Sequence, residues 1–252
     1  MFEKYLRELF WEMREKVEAF FKRTIIGCKT QEKGDWEVDN INNMFSVISI
    51  QCSGITQKLS MQIIKIFSEK LKKRTVYIPA GMTFEDKGVY SMTDLYFKYY
   101  KKRDFEINKK SNMTIIKPFN CFMEATEIEQ SDYFNFINQL SREFDIAVVN
   151  LEGMAPERLQ MFIEKSAQIA ILIDCEQPNF ADYLSNFIKN IKLLWGEALA
   201  VITENIMFIV NAGKEQEERI LKNIIKDEFG EENEILQRIF TIEALQRKWV
   251  FK

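Results

Sequence analysis

The chain has 252 residues, a hydrophobic share of 46%, a charged share of 29% and a formal net charge of -3. That composition suits a globular protein and gives no general attraction for nucleic acid or an anionic membrane. There is no histidine, which excludes Ser-His-Asp and Cys-His catalysis and every His-containing metal site. The four cysteines, Cys28, Cys52, Cys121 and Cys175, form no CxxC pair and read as reduced, mostly buried thiols.

No apolar run approaches the roughly 20 residues needed to cross a bilayer. The N-terminus also lacks the basic, apolar and small-residue order of a secretory signal. The expected location is therefore cytoplasmic. With 9 glycines and 4 prolines, long disordered regions are not expected.

The first expected unit is residues 1–27, in which positions 1–22 read as one amphipathic helix. Leu6, Phe10, Met13, Val17 and Phe20 alternate spacings of four and three, so they share one stripe. The opposite face sets five glutamates (Glu3, Glu8, Glu12, Glu15, Glu18) against six bases (Lys4, Arg7, Arg14, Lys16, Lys22, Arg23). This pattern fits packing on its own domain, docking to a partner or dimer helix, or lying in a membrane interface with Trp11 inserted. The balanced charge disfavours direct membrane contact. Residues 28–43, containing GDWEVDNINN, read as a polar linker.

From residue 44 to 252, apolar runs alternate with helical patterns. Strands are expected at 44–50, 75–79, 113–117, 146–151, 169–173, 206–211 and 239–242. Helices are expected at 58–72, 91–101, 131–144, 179–195 and 215–229. SMTD opens the second helix with a capping-box-like start in which Asp94 replaces the usual glutamate, and Ser131 is the expected N-cap of the third. Continuously apolar runs such as IAVVNL and IAILI suit strands covered on both faces. The alternation predicts one doubly wound α/β domain, with ligands beyond the carboxyl ends of the strands.

One strand end stands out. In VISIQCSGITQKLS, residues 47–60, a β-branched run meets a short polar loop with one glycine, and an amphipathic pattern follows. This is the outline of a phosphate-binding loop. A working loop needs glycines to let backbone N–H groups surround phosphates, a lysine to reach them and a Ser/Thr for magnesium.

The order of elements resembles the MinD/ParA class of P-loop ATPases, whose deviant loop reads KGGxGK[ST]. Matched without gaps, Cys52 stands at the signature lysine, Ser53 and Gly54 at two glycines and Ile55 at the variable position. Thr56 takes the third glycine, Gln57 the second lysine and Lys58 the magnesium-binding hydroxyl. A one-residue shift of register would let Lys58 substitute for the lysine. FDIAVVNLEGM resembles the second motif, with Asn150 in place of an aspartate. IAILIDCEQP resembles the later strand before a Pro-containing turn. IMFIVNAGK resembles the strand whose terminal asparagine, here Asn211, contacts the base.

Within the class the likeness is to the atypical TadZ/CpaE branch, which localises Tad (type IVb-like) pilus assembly machinery. IPAGMTFEDKGVYSMTDLYFKYYKK is similar to that branch's strand, variable loop and SxxDLxxYxK helix. A receiver domain precedes the body in many of its members; the 43 residues here are too few for one.

The resemblance implies a P-loop NTPase-like fold, a mainly parallel sheet with helices on both faces, plus the N-terminal amphipathic helix. It also implies a homodimer, protein partners in a membrane-associated assembly machine, and ATP or ADP with magnesium as the family's ligand. The departures oppose hydrolysis. Gln57 carries no charge for a transferring phosphoryl group, Lys58 puts a cation where a cation should bind, and Asn150 offers no negative charge or base.

A non-hydrolysing scaffold or localisation factor is the leading expectation, with no catalytic residue or metal site assigned. Weak nucleotide binding at Ser53, Gly54, Ile55, Thr56, Gln57 and Lys58, with Asn150 and Asn211, stays open through the N–H groups of the following helix. The alternative is a weakly binding or hydrolysing switch, in which Lys58 reaches the phosphates and Glu152 or Asp174 supports magnesium. Nucleic acid is not the expected partner, since SEKLKKR (68–74) and KYYKKR (98–103) read as solvated helix ends.

Overall fold

In chain order the elements of the computed structural model are β1 (Met44–Ser49), α1 (Ile55–Lys65, continuing as a π-helical turn Ile66–Lys70), β2 (Thr75–Pro79), β3 (Tyr90–Ser91) and α2 (Met92–Tyr100). Then follow β4 (Met113–Lys117), α3 (Gln130–Ser141), β5 (Ile146–Asn150), α4 (Pro156–Lys165) and β6 (Gln168–Asp174). The last are α5 (Phe180–Trp195), β7 (Ile206–Asn211), α6 (Glu215–Phe229) and β8 (Ile239–Thr241). The structure describes residues 43–51, 55–70, 72–81, 88–108, 111–120, 126–154, 156–195, 205–211, 215–230 and 239–241. The chain divides into two units, Met1–Asn43 and Met44–Lys252. The expected N-terminal helix, with Leu6, Phe10, Met13, Val17 and Phe20, lies outside the described residues.

The eight strands form one sheet in the order β3-β4-β2-β5-β1-β6-β7-β8. Every pairing is parallel. Parallel neighbours require crossovers, and the helices supply them. All five residues of β2 and of β5 are buried, as strands covered on both faces must be. The doubly wound α/β class expected from the alternation is the fold observed.

Two local expectations need correction, and a third holds. The helix after β1 begins at Ile55 rather than 58, because Thr56 already packs inward and is fully buried. Ser131 does not cap α3: the helix begins at Gln130 with Glu129 as N-cap and no side-chain cap bond, and the Ser131 hydroxyl bonds the Glu129 carboxylate at 2.9 Å. Ser91 does cap α2, accepting the Thr93 N–H at 3.2 Å, while Asp94 is exposed.

Two elements were not anticipated. Helix α4 opens with Pro156 in its first turn, where a missing N–H costs nothing, and buries Phe162 and Ile163. Strand β3 is two residues long. It depends on Gly88, where a Cβ would lie 2.8 Å from both the Ile115 oxygen and the Lys117 nitrogen of β4.

An aromatic cluster packs α2 and α3 together: Tyr96, Tyr99 and Phe105 surround the fully buried Phe136, with ring centroids 5.3, 5.6 and 6.1 Å from it. Truncating such a ring to alanine typically costs about 3–5 kcal/mol. The Tyr133 hydroxyl of α3 donates to the Ala80 carbonyl at 2.6 Å, tying that helix to the carboxyl end of β2. Burial pushes the Tyr133 phenol well above its ordinary value.

Candidate functional site

Strand β1 lies between β5 and β6. From β1 the chain crosses first to β2 on one side, and after β5 it crosses back over β1 to β6 and β7. The loop after β1 therefore sits at the reversal of strand order, where open α/β sheets hold ligands. Cys52, Ser53 and Gly54 of that loop lie outside the described residues, and of Ile55 only the backbone is described.

The carboxyl edge of the sheet is stepped. Val47 pairs with Asn150 on one side and with Ala170 on the other. Strand β6 then continues four residues to Asp174, about 13 Å further along at the usual strand rise. Asp174 is level with Asn211 of β7. The predicted polar residues thus fall into two groups, Asn150 on the lower step and Asp174 with Asn211 on the upper one.

On the lower step, Asn150 is fully buried. Its Nδ2 donates to the Tyr77 hydroxyl at 3.1 Å, and its Oδ1 accepts the Glu152 N–H at 3.0 Å. Its carbonyl accepts the Gly81 N–H at 2.8 Å. The side chain is an internal brace between β2 and the turn after β5. Gly153 completes that turn with φ 71°, in the left-handed region that favours glycine, and Met154 N–H closes it on the Leu151 carbonyl at 3.1 Å.

On the upper step, Gln51 extends the β1–β6 pairing beyond the strand. The last backbone bond runs from Ile50 N–H to the Leu172 carbonyl at 3.2 Å. The Gln51 side chain then takes the next rung: Oε1 accepts the Asp174 N–H at 2.9 Å, and Nε2 donates to the Asp174 carbonyl at 3.2 Å. The Asp174 carboxylate is 4% exposed. Its Oδ1 accepts Asn211 Nδ2 at 2.9 Å and the Glu176 N–H at 3.3 Å. The Asn211 carbonyl accepts the Cys175 N–H at 2.9 Å. The thiol of Cys175 is buried. Burial first, and then the carboxylates of Glu217, Asp174 and Glu218, push its pKa from 9.0 up to about 12.

Of the predicted loop residues, Thr56 is fully buried in the first turn of α1, and its hydroxyl has no hydrogen-bond partner among the described residues. Its carbonyl accepts the Ser60 hydroxyl at 2.8 Å. Gln57 is half-buried and Lys58 is exposed. Among the described residues no group of three or more Cys, Asp or Glu could hold a metal, and no helix is long and apolar enough to cross a membrane.

The sequence places Gln51 and Gly81 at strand ends but assigns no individual role to them or to Tyr77. A long amide directly after a β-branched strand was the available signal for Gln51. Tyr77 and Gly81 carried none, because their roles depend on strands brought together from distant parts of the chain.

Among solved structures, the chain is similar to the ParA family ATPase from Chlorobium tepidum TLS. The TM-score is 0.58 at 12% identity, over 82% of this chain and 90% of that one. The fold is that of the ParA-type P-loop ATPases. Apo McdA from Cyanthece shows the same likeness, with a TM-score of 0.51 and 13% identity over 81% of this chain and 88% of that one. So does the chimerical protein CapA2B2, at 0.50 and 9%, over 78% and 85%. No protein-family model matches the sequence, and no curated protein matches it. At such identities the ParA-type likeness establishes the fold and leaves the chemistry to the residues.

The β5 end presents a buried neutral amide with both polar atoms engaged, and Lys58 in the first turn of α1 is exposed.

Proposed function

We propose that this chain is a non-hydrolysing ParA/MinD-like scaffold or localisation factor. The observation that carries this reading is Asn150, fully buried and braced between Tyr77 and Glu152, at the strand end where an ATPase of this fold needs a negative charge beside magnesium. Cys52, Gln57 and Lys58 extend the same depletion into the loop. The proposed arrangement is a docking helix in residues 1–27, a linker over 28–43 and a ParA-like body over 44–252 that pairs as a homodimer. The proposed setting is the cytoplasmic face of a membrane, reached through protein partners. The likeness of IPAGMTFEDKGVYSMTDLYFKYYKK to the TadZ/CpaE branch supports a Tad-type pilus or secretion machine as the partner.

The test is calorimetric titration with ATP and ADP, with and without magnesium, alongside steady-state phosphate release. The expected result is no turnover. Magnesium-dependent release that disappears in Lys58→Ala would overturn the scaffold reading.

One observation favours the second reading, a weak nucleotide-binding switch. The fully buried Thr56 hydroxyl, without a partner among the described residues, sits in the first turn of α1, and helix N-termini attract anions. ATP binding that is weakened by Thr56→Val and by Lys58→Ala, without turnover, would select this reading.

A further inference from the structure

The free edge of the sheet, far in strand order from β1, carries a groove that the proposed nucleotide-face chemistry does not use. It has a volume of about 440 Å³ and is lined by Val89 and Tyr90 of the β3 edge, by Leu95, Phe97 and Lys98 of α2, and by Arg103. The geometry points to a docking site for an acidic peptide segment that inserts one apolar side chain.

Three observations carry this. First, two large apolar side chains of the lining stand in solvent: Val89 is 82% exposed and Phe97 57%. Apolar residues clustered at an open edge mark an interaction surface more than an isolated one does. Second, the charge is local and complementary to an acidic partner. Among the described residues, 98–108 hold four Lys/Arg (Lys98, Lys101, Lys102, Arg103) against Asp104 and Glu106, a net of +2, in a chain whose net charge is -3. The basic and apolar groups are interleaved, with the Lys101 ammonium 5.3 Å from the centre of the Phe97 ring. Third, the wall is preformed. Lys98 pairs with Glu106 at 2.6 Å, and the Asn108 N–H donates to the Tyr90 hydroxyl at 2.8 Å. These bonds hold the returning segment 103–108 against α2 and β3 before any partner arrives, which lowers the ordering cost of binding.

A peptide fits better than a nucleic acid. Asp94 lines the groove, and the exposed Asp104 and Glu106 stand near it in the returning segment, where they oppose a continuous phosphate backbone. The exposed valine and phenylalanine offer nothing to phosphates. A short acidic segment can place its carboxylates on Lys101, Lys102 and Arg103 while its anchor enters between Leu95 and Phe97.

The experiment pans a random dodecapeptide phage library on the full chain and on a Phe97→Ser/Lys101→Glu/Arg103→Glu variant. All three substituted side chains lie on the surface, and equal thermal melts and far-UV circular dichroism check that the variant is folded. The expected result is enrichment, on the wild type only, of net-negative peptides with one aromatic or aliphatic anchor. A synthetic consensus peptide should lose roughly tenfold or more in affinity with Phe97→Ser alone. It should weaken steeply with salt and be unaffected by Lys189→Glu on α5. The proposal is overturned by equal enrichment on the variant, by a neutral or basic consensus, or by undiminished binding when the anchor is replaced with serine. Short duplex DNA or phosphatidylserine vesicles binding through Lys101 and Arg103, where no peptide does, would overturn it as well.

Discussion

The side-chain amide of Gln51 pairs with both backbone groups of Asp174, at 2.9 Å to the N–H and 3.2 Å to the carbonyl, so one side chain does the work of an additional β rung. Only an amide of this length has both the donor and the acceptor. Gln51→Ala removes two partly buried hydrogen bonds, and the expected loss is about 1–3 kcal/mol. Gln51→Glu keeps the acceptor but turns a carboxylate oxygen toward the Asp174 carbonyl, and it should be no better than alanine. Urea unfolding measures both, and faster hydrogen exchange at the Asp174 amide locates the effect. Unchanged exchange there would refute the rung.

Asn150→Asp puts a carboxylate at the end of β5, and on the proposed scaffold reading it is expected to give no phosphate release. The carboxylate would be fully buried beside Tyr77 and could no longer donate to its hydroxyl. Stability should fall by about 1–3 kcal/mol at neutral pH. Magnesium-dependent turnover by this variant at wild-type stability would refute the expectation.

Gly81→Ala should be among the most damaging single-methyl additions. A Cβ there would lie 2.1 Å from the Glu152 oxygen and 2.7 Å from the Leu151 carbonyl carbon. Both are backbone atoms, so no rotamer change relieves the overlap. The expected cost is about 1–3 kcal/mol or more, read as a lower Tm. The same substitution at Gly230, where nothing lies within 4 Å of the added Cβ, meets only its left-handed backbone, φ 94°, and should be milder.

Cys175 predicts a one-sided response to alkali. Its pKa is raised from 9.0 to about 12 in the folded protein, so the native state holds the thiol proton more tightly than the unfolded chain does. That contribution to stability is complete below pH 9 and is lost as pH rises from there toward 12. Between these limits wild-type Tm should fall more steeply than that of Cys175→Ala. Equal slopes would show that other groups govern alkaline unfolding. The native thiol should also resist a bulky disulfide reagent until the protein unfolds.

The alternation of apolar runs with helical periods determined the α/β class, seven of the eight strands and the position of the loop after β1, because burial on two faces writes itself into local hydrophobicity. Helix α4 escaped that reading: its short amphipathic run begins directly behind a strand-end turn, where Pro156 looks like a loop residue. Residue identity also determined that position 57 is neutral, since no folding can give Gln57 a charge.

Tertiary structure decided what the strand-end residues do. Asn150, Asp174 and Asn211 look alike in sequence, as polar groups closing apolar strands. Only the registers separate them into two steps, and only the packing shows that Asn150 is spent on Tyr77 and Glu152 while Asp174 is held by Gln51 and Asn211. Those partners are 73, 123 and 37 residues away for Tyr77, Gln51 and Asn211. A hydrogen bond across such a distance depends on strand order and register, and these are set by the whole sheet at once rather than by any local stretch of chain.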